Sequence, residues 1–161
     1  MHQRVLISSC LVGEKCAYDG KSRTSKKLTV AFAGHELIRV CPEVIGGLDT
    51  PRERHEIAGG TGEDVLFRKA RVISASGKDR TESFIRGAQK ALETTRQNGI
   101  KIAILKSKSP SCGVHTVFSG KFDGSLKNGP GVTAALLRRH GIRIYTENDF
   151  FDSSPLPLGS A

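Results

Sequence analysis

A chain of 161 residues with 37% hydrophobic side chains suffices for one domain with a single sizeable core. Its apolar runs are too short to span a bilayer and no secretory signal stretch is visible, so a soluble, cytoplasmic protein without a membrane partner is expected. The formal charge of +9 favours an anionic partner, nucleic acid or a phosphorylated small molecule, yet two tyrosines and no tryptophan provide few stacking platforms for single strands.

In chain order, Val5-Leu6-Ile7-Ser8 reads as a short buried strand, followed by a loop through Tyr18-Asp19-Gly20. Residues 25–35 read as a helix with Leu28, Ala31 and Phe32 on its apolar face. Leu37-Ile38-Arg39-Val40 is a second strand running into Cys41, and the breakers of Gly46-Gly47-Leu48-Asp49-Thr50-Pro51 require a loop. The alternation over residues 65–75 suggests one or two strands, added as a hairpin at an edge. A helix follows over 81–98, with Phe84, Ile85, Ala88, Ala91 and Leu92 as its stripe, Asp79 or Thr81 at its start and Asn98-Gly99 as its stop.

The clearest strand is Ile100-Lys101-Ile102-Ala103-Ile104-Leu105-Lys106, which ends at Ser109-Pro110-Ser111-Cys112. Residues 115–123 add short extended structure, 133–140 a helix stopped by Gly141, and Ile142-Arg143-Ile144-Tyr145 a final strand. Strands alternating with helices imply an α/β fold: a single three-layer Rossmann-like domain with a mostly parallel central sheet. It should occupy residues 1–149, with 150–161 as a C-terminal tail.

The chain has four cysteines. In a reducing compartment they point to metal binding or catalysis before disulfides. Cys10, Cys41 and Cys112 each follow an apolar run and precede Gly or Pro within a few residues. Loops of that kind lie at the carboxyl edge of a parallel sheet, where ligands bind. The plainer alternative is that each is a small buried apolar side chain. That alternative weakens when three fall in equivalent loops. Cys10 and Cys16 form a C-x5-C pair, unlike the C-x2-C knuckles of zinc ribbons. Soft thiolates gathered at one edge suit an iron–sulfur cluster, and three of them leave one iron of a cubane open as a Lewis acid.

Candidates for proton work sit beside these cysteines. Glu43 shares the loop of Cys41 and is placed to act as a general base on water, although a loop carboxylate also serves as a cap. Ser109 and Ser111 flank Pro110 just before Cys112, where either hydroxyl can meet a substrate or satisfy nearby backbone. Lys106, Lys108, Arg52 and Arg54 are candidates to hold a phosphate. A lone His is most often a surface or satisfied residue, so His55 and His115 are left out of the catalytic set.

These motifs together resemble the thiouracil desulfidase family. The matching segments are Ser9-Cys10-Leu11-Val12-Gly13, Cys16-Ala17-Tyr18-Asp19-Gly20, Val40-Cys41-Pro42-Glu43-Val44-Ile45-Gly46-Gly47-Leu48, Thr50-Pro51-Arg52, Ile104 to Gly113 with its Ser-Pro-Ser-Cys-Gly, and Gly131-Val132-Thr133-Ala134-Ala135-Leu136-Leu137. The resemblance implies a 4Fe–4S enzyme that removes sulfur from thiolated uracil compounds without net redox chemistry, releasing hydrogen sulfide. It implies Cys10, Cys41 and Cys112 as cluster ligands, with one iron not bound by protein and free for the substrate sulfur. It further implies Glu43 and Ser109 as the catalytic pair, and a small thionucleotide, 4-thiouridine monophosphate, as substrate. Cys16 is left as a spare thiol, a sulfur acceptor or a packing residue.

Three other readings remain open on the residues alone. A basic nucleic-acid-binding module would need no iron, though no stable nucleic-acid partner is expected. A zinc-stabilised structural module would use the same thiolates. A four-cysteine cluster including Cys16 would serve electron transfer or redox sensing.

Overall fold

The computed structural model describes residues 2–149; the expected tail at 150–161 lies outside them. Strand β1 (Arg4–Ser8) pairs in parallel with β2 (Glu36–Val40) on one side and with β5 (Ile102–Leu105) on the other. Beyond β5 lies β8 (Arg143–Thr146), also parallel, so the main sheet has the order β2-β1-β5-β8. The α/β expectation with a parallel central sheet therefore holds.

Both faces of the sheet are covered, which is why its strands read as continuous apolar runs. On one face Val5, Ile7, Ile102 and Ile104 pack with Leu28 and Phe32 from around helix α1 (Lys26–Ala31). On the other, Leu6, Ala103 and Leu105 meet Ala91 and Leu92 of α4 (Thr81–Gln97) and Ala134 and Leu137 of α5 (Val132–Arg139). Successive residues of one strand thus feed opposite cores. Helix α1 is shorter than its pattern suggested, and Ala31 is exposed, because the chain turns at Phe32 and Gly34 takes φ 91°.

The segment over 65–75 departs from expectation. Val65 belongs to a helix, α3 (Gly62–Leu66), whose first turn is set when Thr61 N–H donates to Asp64 Oδ2 at 2.8 Å. The hairpin at this place joins β4 (Arg71–Ser74) to β3 (His55–Ala58), antiparallel, so its first strand begins ten residues before Val65. Val65 and Val72 still share one small core with Ile57 and Phe84, which explains an alternation that mimics a strand. A second two-stranded ribbon joins β6 (Thr116–Phe118) and β7 (Leu126–Asn128).

Two elements position the site. Cys41 is followed by a short helix, α2 (Pro42–Ile45), with Pro42 in its first turn, where a missing N–H is harmless. This helix lies so close to α4 that a Cβ on Gly87 would stand 2.0 Å from the Pro42 oxygen. Only glycine allows that approach, and it sets where Glu43 points. The Ser-Pro-Ser-Cys loop is likewise tied to the start of α5: Val132 N–H donates to Pro110 O, and Thr133 N–H to Ser111 O, both at 2.9 Å.

Candidate active site

The sheet order reverses between β1 and β5, since the chain passes from β1 to β2 on one side and later to β5 on the other. The crevice beyond the carboxyl ends of such a pair is where open α/β sheets bind ligands. A pocket of about 250 Å³ opens there, and all four cysteines line it. Cys10 lies in the 3-10 turn after β1, Cys41 at the end of β2 and Cys112 in the loop after β5. The three cysteines singled out from sequence thus come from the ends of three adjacent strands.

Cys16 comes up from the loop after Cys10, and its thiol lies beside those of Cys10 and Cys41. The Cys41 thiol also donates to the Cys16 carbonyl at 3.8 Å. The contact with Cys10, followed by burial, pushes the Cys16 thiol up to about 11. The neighbouring Cys16 thiol and burial drive Cys41 upward too, and burial pushes Cys112 to about 12, opposed by the Ser8 hydroxyl. Without a cation these thiols hold their protons at neutral pH, so a group bound there must displace them.

Among the described residues, no three His, Cys, Asp or Glu side chains converge as ligands of a single metal ion. A structural zinc site would need four closed around one ion. Thiols spread round an open pocket fit a multi-iron cluster, whose ligands sit on separate irons. On donor chemistry and arrangement, Cys10, Cys41 and Cys112 are suited to hold one.

Glu43 stands at the wall of the same pocket. Its Oε1 accepts from Arg52 Nε at 3.0 Å, with the two side chains only 14% and 6% exposed. Its Oε2 accepts from Ser109 Oγ at 3.4 Å, a longer and weaker contact. Ser109 Oγ in turn accepts the N–H groups of Ser111 and Cys112, at 3.1 and 3.0 Å. Both lone pairs of the hydroxyl are therefore engaged, and its proton is directed at Glu43. One hydroxyl thus links the carboxylate to the loop that presents Cys112.

Arg52 is anchored on every side. Besides Glu43 it donates to Asp49 O, Thr50 Oγ1 and Cys16 O, so four of its five N–H groups are used within the fold. It orients Glu43 and the Cys16 loop, with little capacity left for a phosphate. Ser111 is fully buried, its hydroxyl 2.8 Å from Thr133 Oγ1, and does not line the pocket.

Lys106 and Lys108 both line the pocket. Lys106 Nζ donates to the backbone and hydroxyl oxygens of Ser107 and lies 3.8 Å from Glu147. Lys108 adopts φ 66°, a left-handed value uncommon outside glycine, and its exposed ammonium has no partner among the described residues.

Arg54, the fourth phosphate candidate, lies over the rings of Tyr18 and Phe118, 6.0 and 5.2 Å from their centroids. Several other lining residues carried no strong signal in the sequence. Arg23 approaches Tyr18 at 5.9 Å. Ser8 accepts Lys106 N–H at 2.9 Å and also meets the Cys112 thiol. His55, the first residue of β3, is a buried part of the wall. His115 is engaged elsewhere, 3.1 Å from Asp149.

Comparison with known proteins fits this arrangement. The family model for 2-thiouracil desulfurase matches residues 5–149. The chain belongs to the 2-thiouracil desulfurase family. It is 44% identical over 148 residues to the uncharacterized protein YbbK of Bacillus subtilis (strain 168), covering 92% of this chain and 98% of that one. The solved structure of the [4Fe-4S]-dependent thiouracil desulfidase TudS superposes with a TM-score of 0.79 at 40% identity, over 91% of this chain and 92% of the other. The family match spans residues 5–149, site loops included.

Proposed function

We propose that this protein is a 4Fe–4S-dependent, non-redox desulfidase of thiolated uracil, preferring 4-thiouridine monophosphate and releasing a uracil product and hydrogen sulfide. The observation that carries the reading is the meeting of Cys10, Cys41 and Cys112 with the Arg52–Glu43–Ser109 chain at one pocket, in a member of this family. Cys10, Cys41 and Cys112 would hold the cluster, and Cys16 lies beside two of them without being required. When bound, the cluster would supply, at the iron no cysteine takes, a soft Lewis acid matched to thiocarbonyl sulfur.

The reaction balances without electrons: one water supplies the oxygen that replaces sulfur at the ring carbon, and sulfur leaves as hydrogen sulfide. Glu43 takes a proton from that water. Its Oε2, held only loosely by Ser109, is the oxygen available for it, while Arg52 keeps Oε1 fixed. Such positioned proton transfer contributes about 10²–10⁴-fold to a rate. Ser109, donating to Glu43 and accepting the N–H groups of Ser111 and Cys112, holds the base in line with the Cys112 loop.

The pocket mouth supports a nucleotide over a free base. Tyr18 and Phe118 provide ring faces, Arg23 and Arg54 surround them, and Lys108 offers an uncommitted ammonium. Sulfide release from 4-thiouridine monophosphate, 4-thiouridine, 4-thiouracil and 2-thiouracil by reconstituted protein tests this directly. Lys108→Ala is expected to raise KM for the monophosphate severalfold and leave KM for 4-thiouracil unchanged. Equal effects on both would remove Lys108 from phosphate binding.

A further inference from the structure

His55 is a buried imidazole that neither the cluster ligands nor the Glu43 chain uses. It is 8% exposed, lines the pocket, and packs against Phe84 with ring centroids 5.4 Å apart and planes tilted by 54°. No described residue hydrogen-bonds either ring nitrogen, and of the two only Nδ1 is both enclosed and unpaired. Burial holds the ring's pKa below its usual value, with Glu43 and Glu53 pulling it upward and Arg52 and Arg80 pushing it down. The ring is therefore neutral near pH 7, with one N–H and one lone pair.

The placement of that proton follows from burial. An enclosed N–H with no acceptor is rarer than an enclosed acceptor with no donor. Nδ1 accordingly carries the lone pair and Nε2 the hydrogen. A neutral ring N–H with no protein acceptor then belongs to the wall of a pocket whose other polar lining is thiols, serine hydroxyls, cations and the Glu43 carboxylate.

We infer that His55 is a substrate-contacting, specificity-determining residue whose Nε2–H donates to the ring carbonyl that a thiouracil keeps beside its thiocarbonyl. This rests on the desulfidase reading and adds to it the selection of mono-thiolated pyrimidines. Oxygen accepts a hydrogen bond from a neutral N–H better than thiocarbonyl sulfur does. A ring with one C=O and one C=S should therefore be held better than one with two C=S groups. His55 is the only neutral ring N–H donor in the described pocket wall.

The test compares 4-thiouracil with 2,4-dithiouracil as substrates of the reconstituted enzyme, in wild type, His55→Phe and His55→Gln. His55→Phe keeps an aromatic ring against Phe84, and His55→Gln returns an N–H donor near the position of Nε2. Wild type should show the lower KM for 4-thiouracil. His55→Phe should raise that KM about tenfold, the order expected for one buried hydrogen bond left unmade, with kcat little changed and discrimination between the two substrates lost. His55→Gln should recover most of it. Nitrogen-15 NMR of the wild type should find the Nε2–H tautomer.

Turnover of 4-thiouracil by His55→Phe with unchanged KM and discrimination would overturn the inference, as would an Nδ1–H tautomer. Absence of sulfide release from any thiouracil by wild type would instead remove the desulfidase reading on which it rests, and the two failures are distinct. Iron content and circular dichroism of each variant separate loss of contact from loss of fold.

Discussion

Replacing Glu43 by Gln is expected to leave iron binding intact and to lower kcat for sulfide release by about 10²–10⁴-fold, the usual weight of one positioned general base. The substitution keeps size and hydrogen-bonding capacity but removes the proton acceptor. It also removes the charge that Arg52 faces at 3.0 Å in a nearly closed setting. Stability should therefore be measured alongside turnover, because an ionic group left buried without its partner destabilises the fold. Arg52 retains three other acceptors, at Asp49, Thr50 and Cys16, which should limit that effect. A variant that keeps its cluster and its melting temperature yet loses turnover places Glu43 in the chemistry. Loss of iron together with activity would make it a support for the Cys41 loop.

The second large effect concerns the thiols. Cys41→Ala is expected to abolish cluster binding, with Cys10→Ala and Cys112→Ala behaving alike. Cys16→Ala should retain iron and most activity. The contrast is demanding because Cys16 is buried and touches two of the expected ligands. What separates it is its origin. Cys10 and Cys41 leave the ends of β1 and β2, whose pairing fixes them, and Cys112 sits in a loop pinned to the start of α5, whereas Cys16 rides on a loop held through Arg52 and the backbone. Iron content and visible spectra of the four variants check this. Iron lost from Cys16→Ala would make the cluster four-cysteine ligated and move the protein toward electron transfer.

Much of the frame was legible in the residues. Val5-Leu6-Ile7 and Ile102-Ala103-Ile104-Leu105 are unbroken apolar runs because both faces of those strands are buried, and their cysteines follow from the same geometry. Glu43 was legible because it follows Cys41 by two positions. The hairpin was not, since Val65 fills the same small core from a helix that Val72 fills from a strand. Periodicity over so short a span does not separate the two.

At the site, spacing conveyed which residues reach the pocket and little of how they are committed there. Arg52 reads as a free cation, yet folding turns it back onto a carboxylate nine positions earlier. Ser111 reads as equivalent to Ser109, but one packs against Thr133 while the other meets Glu43. His55, Tyr18 and Phe118 converge only through tertiary packing of segments far apart in the chain. No local pattern carries such a meeting. The β3–β4 hairpin brings His55 to the pocket and the β6–β7 ribbon brings Phe118.

Sulfide release from 4-thiouridine monophosphate by anaerobically reconstituted protein, with no reductant added and iron-free protein alongside, tests the central claim most directly. The account predicts a broad absorption near about 400 nm, where iron–sulfur charge transfer lies, and one sulfide per uracil product formed in the reconstituted sample alone. A protein that binds its cluster and releases no sulfide from any thiouracil compound, or one that releases it equally well without iron, would contradict it.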